Sequence, residues 1–308
     1  MKNILLLGGF GFLGTNVMHY VDEHLCGQYH FIVFDKFDHH MGGVEFECVD
    51  KVYAGDFTNS HLLEQVFAEN QIDIVLHSLS TTVPVDSSNA RFDVESNLIP
   101  TLDVLGLMVK YGVKYIVYLS SGGAIYGTGT GKHKESDDVF PVSSYGVVKL
   151  AIEKYLMQYA QLYGLQPLIL RLSNPYGPYH YSMKQGVVNI AMTKALRGET
   201  LEIWGDGNGG KDYIYVEDYV RILFALVEKG IHNEVINVAS GEILSVNEIV
   251  HSIRKLIPSF HCEHKAAKTL DANHFALDTT KLHSLLPDFI YTSFEDGLKK
   301  TYEWTCLI

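Results

Sequence analysis

Short apolar runs alternate with longer amphipathic stretches through the first half of the chain. The runs Ile4–Leu7, Phe31–Asp35, Val52–Ala54, Ile74–His77, Tyr115–Ser120 and Leu168–Leu172 read as strands. Most are apolar at consecutive positions, the pattern of parallel strands covered on both faces. Helical patterns fall between them at about 12–24, 60–69, 93–111 and 144–163. This alternation predicts an α/β fold with a doubly wound parallel sheet. After Arg171 the texture changes. Pro175, Gly177 and Pro178 open a tyrosine-rich loop, and residues 205–210 form a second irregular, glycine-rich stretch. A strand-like Val235–Val238 and an amphipathic segment at 245–257 follow. Residues 1–174 are therefore expected to form the sheet domain, with a return segment near 213–240, and 175–308 mainly a smaller C-terminal lobe.

The 308 residues are 47% hydrophobic and 19% charged, enough for a sizeable core. No run of eighteen apolar residues predicts a membrane span. Met1-Lys2-Asn3 leads straight into a strand without a signal-peptide cleavage pattern, so a cytoplasmic protein is expected. A net charge of −12 argues against nucleic-acid and anionic-membrane partners. It leaves room for a polyanionic small ligand, for which a helix N-terminus and a few local cations suffice. Cysteines 26, 48, 262 and 306 have neither zinc nor redox spacing and read as reduced structural thiols, with no metal site.

Gly8, Gly11 and Gly14 follow the first strand and open a helix. Glycines so spaced permit a tight turn, close approach of backbone to a pyrophosphate, and close helix–strand packing, with the helix N-terminus holding the phosphates. An ordinary strand–helix turn also produces such a triplet. Asp35 ends the second strand, 21 residues after Gly14. A carboxylate there accepts from ribose hydroxyls and repels a 2′-phosphate, which favours NAD over NADP, although Lys36 beside it tempers that preference. Gly55-Asp56 ends the third strand, where a side chain reaches an adenine edge or simply makes a turn.

Tyr145 and Lys149 lie four residues apart at the start of a predicted helix, on one face. A phenol with its pKa near ~10 is a poor base at neutral pH, and a neighbouring ammonium favours the phenolate. Bringing it near ~7 requires roughly 4 kcal/mol, for which Lys149 and a positively charged nicotinamide are candidate sources. Taken alone, the pair is a common coincidence in a chain with 19 tyrosines.

The motifs accumulate in order: Gly8…Gly11…Gly14, Asp35, Gly55-Asp56, Ile74–His77, Asn97, Ser120-Ser121-Gly122-Gly123-Ala124-Ile125-Tyr126-Gly127 and Tyr145…Lys149. Arg171–Pro178 and Asp212–Asp218 complete the set. The series, from about residue 3 to 300, resembles the extended short-chain dehydrogenase/reductase family, and within it the sugar-nucleotide epimerases typified by UDP-galactose 4-epimerases. That resemblance implies a Rossmann-type NAD-binding domain and a substrate-binding lobe. It implies Tyr145 as base, with Lys149 and a serine or threonine as partners. It places Phe12, Leu13, Asp56, Phe57, Ser78, Leu79, Asn97, Ser120 and Pro175 along the cofactor. Along a nucleotide-sugar substrate it places Thr81, Gly122, Asn174, Gln185, Gly186, Val187, Lys211 and Lys268. The helices at 93–111 and 144–163 match the family's homodimer interface.

Three departures qualify the resemblance. The position of the usual Ser or Thr is Gly122, so Ser121 supplies the hydroxyl through a shifted loop, or Thr81 or Ser144 does. Ser121 is preferred, while Ser120 and Ser121 also read as caps of the strand end. Lys211 and Lys268 stand where arginines commonly bind phosphate, keeping the charge without the bidentate fork, and equally read as solvated charges. Gly123 and Ala124 replace the acidic residues of relatives that eliminate water or CO2. The expected function is therefore NAD-dependent epimerisation of a nucleotide sugar, at C4 of a UDP-hexose, through a transient keto-sugar. The alternatives are a nucleotide-sugar dehydrogenase or reductase, a 4,6-dehydratase, and a non-catalytic dinucleotide-binding scaffold.

Overall fold

Each apolar run of the first half is a strand in the computed structural model, which describes residues 1–37, 43–83, 89–127, 131–267 and 274–308. The strands are Lys2–Leu7, Tyr29–Asp35, Val49–Ala54, Ile74–His77, Tyr115–Ser121 and Gln166–Leu172. Glu234–Val238 adds a seventh. Four of them begin two or three residues before their apolar runs, because ladder hydrogen bonds need no apolar side chain. Across the sheet the order is Glu234–Val238, Gln166–Leu172, Tyr115–Ser121, Ile74–His77, Lys2–Leu7, Tyr29–Asp35, Val49–Ala54. From Val49–Ala54 to Tyr115–Ser121 all pairings are parallel. Strand Lys2–Leu7 therefore has the second strand on one side and the fourth on the other. This is the switch point of a Rossmann-type sheet, where a crevice opens beyond the strand ends.

Contacts divide the chain into two units. The first comprises Met1–Ile125, Pro141–Arg171 and Leu226–Ile236. Its core joins sheet residues such as Leu5, Phe34, Val75, Ile116 and Ile169 to Leu63, Leu105, Ile152 and Leu156 of the covering helices. Helix Phe12–His24 follows the glycine turn, and helix Ser144–Tyr163 is started by Ser143, whose side chain accepts from Gly146 N–H at 3.1 Å. The single helix read at 93–111 is Ala90–Asp93, a π-helical turn Val94–Leu98, and Ile99–Tyr111.

The second unit comprises Tyr126–Phe140, Leu172–Ala225 and Asn237–Ile308. Its sheet runs Ile243–Ser245, Gly210–Tyr215, His274–Leu277, Gly131–His133, with Asn174–Tyr176 beside Gly210–Tyr215. Segment Tyr126–Phe140 belongs here although it interrupts sheet-domain sequence. Asn237 holds it, donating to the carbonyls of His133 (2.9 Å) and Asp278 (3.1 Å) and accepting from Tyr126 Oη (2.9 Å). Among the described residues no helix is long and apolar enough to cross a membrane.

Candidate active site

The glycine turn is shaped by backbone, not side chains. Gly8 has φ +83°, and a Cβ there would lie 2.9 Å from Leu79 Cα. A Cβ on Gly14 would lie 2.4 Å from Gly8 O and 2.6 Å from Gly9 O. On Gly11 it would meet only Gly8 O, at an ordinary 3.5 Å, so the space above this glycine is open. Gly11 caps helix Phe12–His24 without a side-chain hydrogen bond, and Phe12 and Leu13 begin its first turn. A tight turn, a helix N-terminus without a side-chain cap and open space over the middle glycine together fit a pyrophosphate.

Asp35 faces the same turn. It is largely buried, and one oxygen accepts from Phe10 N–H at 2.9 Å while the other takes a longer bond from Phe37 N–H at 3.4 Å. Burial raises its pKa, and the backbone donors pull it back down. Replacing Asp35 by Ala is expected to weaken NAD binding by about tenfold or more with a much smaller loss for NADP. Equal losses for the two in titration calorimetry would make the carboxylate structural. Asp56 is exposed, and its Oδ1 accepts from Thr58 N–H (2.9 Å) and Thr58 Oγ1 (2.7 Å), a local turn that lowers its pKa. The ring of Phe57 is buried against Phe34 and His77, which leaves only its backbone to meet a ligand. Ser78 Oγ donates to Leu7 O at 2.8 Å and ties the fourth strand to the first.

Thr81 and Asn97 grip one another. Asn97 Oδ1 accepts from Thr81 N–H (2.8 Å), and its Nδ2 donates to Thr81 Oγ1 (2.7 Å). Ser96 Oγ donates to Phe92 O, so the 2.6 Å contact between Ser96 and Thr81 hydroxyls uses the proton of Thr81. Thr81 thus has no second proton for a substrate. Asn97 acts on this loop from the π-helical turn, a type of irregularity frequent at functional sites.

Tyr145 is the second residue of its helix, and Ser121 is hydrogen-bonded to it. Gly146 makes the approach possible: a Cβ there would lie 2.4 Å from Ala124 O, so only glycine lets the helix meet the short helix Gly122–Ile125. Ser120 is buried with no hydrogen-bond partner for its hydroxyl among the described residues. Lys149 is buried, donates from Nζ to Leu119 O at 2.8 Å, and lies 4.9 Å from the Tyr118 ring and 5.7 Å from the Tyr145 ring. Leu79, Asn97, Tyr145 and Lys149 line one small cavity with Ser80, Thr82, Tyr118, Val148 and Ile152. Burial pushes Tyr145 up to about 12, opposed by the Ser121 bond, and brings Lys149 down to about 8, opposed by Glu153. Without ligands the phenol is therefore shifted away from basicity at neutral pH. Lys149 beside it does not reverse that shift.

Behind this pair stand Glu153, which motif reading passed over, and Arg171 and His77, which it named without a role. Glu153, one turn beyond Lys149, takes a bidentate bond from Arg171: Nε at 3.1 Å and Nη2 at 2.8 Å. The i, i+4 spacing of Lys149 and Glu153 and the arginine in the strand were legible in the sequence; the pairing of Glu153 with Arg171 across 18 positions was not. His77 Nε2 lies 2.9 Å from Thr101 Oγ1, which already donates to Asn97 O, so the imidazole carries its proton on Nε2. Burial, and then the charge of Lys149, push its pKa down to about 3, so it is neutral.

The remaining substrate candidates belong to the second unit. Asn174 donates to Asp212 O at 2.8 Å, and its strand pairs with Gly210–Tyr215 so that Asn174 lies opposite Tyr213, two residues from exposed Lys211. Pro175 follows it in that strand. Gln185 is exposed, and Gly186, at φ +89°, caps the helix that Val187 begins. Lys268 lies outside the described residues.

This arrangement has relatives. The model of the NAD-dependent epimerase/dehydratase family matches residues 4–239. A Methanocaldococcus jannaschii protein provisionally named UDP-glucose 4-epimerase is 31% identical over 313 residues, covering 98% of this chain and 97% of its own. The dTDP-glucose 4,6-dehydratase of Neisseria meningitidis is 27% identical, covering 99% of this chain and 93% of its own. The UDP-glucose 4-epimerase of Thermotoga maritima, solved with UDP-glucose, superposes with a TM-score of 0.91 at 31% identity, covering 99% of both chains. The glycine turn that fits a pyrophosphate and the match over most of the chain agree: this protein belongs to the NAD-dependent epimerase/dehydratase family, and NAD is its cofactor.

Proposed function

We propose that the chain epimerises a nucleotide sugar, at C4 of a UDP-hexose, with Tyr145 as base. The observation that carries this reading is the Ser121–Tyr145 hydrogen bond beside Lys149, followed in sequence by Gly122-Gly123-Ala124. A base and a hydroxyl partner are present, while the segment after Ser121 holds no carboxylic acid to protonate a leaving hydroxyl. Dehydration therefore lacks its catalyst there. Epimerisation needs none. Relatives named for UDP-glucose 4-epimerisation, at 31% identity against 27% for the dehydratase, support the same reading.

NAD, when bound, supplies reversible hydride acceptance. Tyr145 Oη takes the proton of the sugar hydroxyl as its carbon becomes a ketone and returns it when the opposite face is reduced. Ser121 shares that hydroxyl and keeps it aligned with Tyr145. Lys149 holds positive charge beside the phenol, and Asp35 and the glycine turn keep the cofactor in place. Asn174, Gln185–Val187 and Lys211 are assigned to the nucleotide and diphosphate.

The test is to denature the purified protein, measure released NAD, and assay nucleotide sugars by mass-neutral product analysis. Co-purified NAD and turnover without net change at the NADH absorbance band are expected. Stoichiometric NADH accumulation would make the enzyme a dehydrogenase. We also propose a homodimer through helices Ile99–Tyr111 and Ser144–Tyr163, which expose Ile99, Val109, Val147, Tyr155 and Leu162. Light scattering at the monomer mass would remove that proposal.

A further inference from the structure

Lys149 carries a charge that the interior disfavours, and the fold answers from the same helix face. Its side chain is surrounded by Tyr145 and Glu153 of its own helix, Tyr118 of strand Tyr115–Ser121 and His77 of strand Ile74–His77, with Arg171 behind Glu153. His77 is neutral, and burial holds the phenol of Tyr118 well above its ordinary range. Among these groups the only anion is Glu153, which is 2% exposed, against 6% for Lys149 and 4% for Arg171. One carboxylate thus serves two buried cations.

The geometry divides the labour between them. A buried carboxylate with no other partner would close on the ammonium and draw it away from Tyr145. The arginine fork engages both carboxylate oxygens, at 3.1 and 2.8 Å, and fixes their plane. Glu153 then acts on Lys149 through its field, while Nζ donates to Leu119 O and stays beside the Tyr145 ring.

We propose that Glu153, held by Arg171, is a positioning residue that keeps Lys149 charged and beside Tyr145. This rests on the reading of Lys149 as the partner of the base. Burial already brings the lysine down to about 8, and Glu153 is what holds it up. Without the carboxylate the ammonium loses its proton at still lower pH, and activity that needs the charge fails there too.

The experiment titrates Lys149 in the NAD-containing protein by NMR of 13Cε-labelled lysine, its resonance assigned by its absence in Lys149→Met. Wild type is compared with Glu153→Leu/Arg171→Met, which removes the pair without leaving a bare buried charge, and with Glu153→Asp, which retracts the carboxylate by one methylene. In the double variant the midpoint is expected to fall by about one pH unit or more, which is about tenfold in the protonated ratio. The alkaline limb of the pH–rate profile should move with it and activity should return at lower pH, with Glu153→Asp between the two. An unchanged midpoint in the variants would reduce the pair to a structural clamp and overturn the proposal. If the double variant does not melt cooperatively, the midpoint of Glu153→Asp decides alone. The titration needs no sugar, so it stays readable even if no nucleotide sugar is epimerised, and the two failures are distinct.

Discussion

Replacing Tyr145 by Phe is expected to lower kcat by about a thousandfold or more while leaving bound NAD in place. The substitution removes one oxygen, the group that takes the substrate proton, and general acid–base catalysis of this kind contributes roughly 10²- to 10⁴-fold. The ring remains, and with it the face 5.7 Å from Lys149 Nζ, so the pocket keeps its packing. Burial raises the phenol to about 12, so in the ligand-free pocket the hydroxyl is neutral and its removal changes no charge there. Steady-state rates and the NAD content of the denatured protein check both halves. Activity within tenfold of wild type would show that another group is the base, and Ser121 would be the first to examine.

The second large effect is expected at the glycine turn, and two substitutions there separate folding from binding. In Gly14→Ala the added Cβ lies 2.4 Å from Gly8 O, 2.6 Å from Gly9 O and 2.7 Å from Gly9 Cα. All three are backbone atoms, so no side chain can swing aside. We expect roughly 3 kcal/mol or more of lost stability, together with loss of NAD. In Gly11→Ala the new methyl meets only Gly8 O at 3.5 Å, an ordinary contact. Its melting temperature should stay near wild type while NAD affinity falls about a hundredfold, because the methyl occupies the space assigned to the pyrophosphate. Thermal melts paired with calorimetry make the comparison. Full NAD affinity in Gly11→Ala would mean that the open space over that glycine is not the phosphate cradle.

The site is arranged so that local and distant residues have different parts. Tyr145 and Lys149 share a helix face and were readable as a pair from their spacing. The groups around that pair come from elsewhere in the sequence. Ser121 reaches Tyr145 because Gly146 lets two helices touch at Ala124 O, and no spacing rule connects those positions. Thr81, one of the alternatives for the substrate hydroxyl, is engaged by Asn97 and Ser96. Its proton is committed to Ser96 Oγ, because the Ser96 hydroxyl itself donates to Phe92 O.

The sequence by itself determined the sheet, the glycine turn and the positions of Asp35, Tyr145 and Lys149. Continuous apolar runs, helical periodicity, turn glycines and i, i+4 spacing are properties of neighbours along the chain, and a local window of sequence contains them. Only the tertiary structure decided that Tyr126–Phe140 joins the second unit, where Gly131–His133 pairs with His274–Leu277. It alone decided that Glu153 meets Arg171, and that burial shifts Tyr145 and Lys149 towards their neutral forms. Long-range strand pairing and desolvation depend on which segments the folded chain brings together and how much water they exclude, and no local window of sequence contains either quantity.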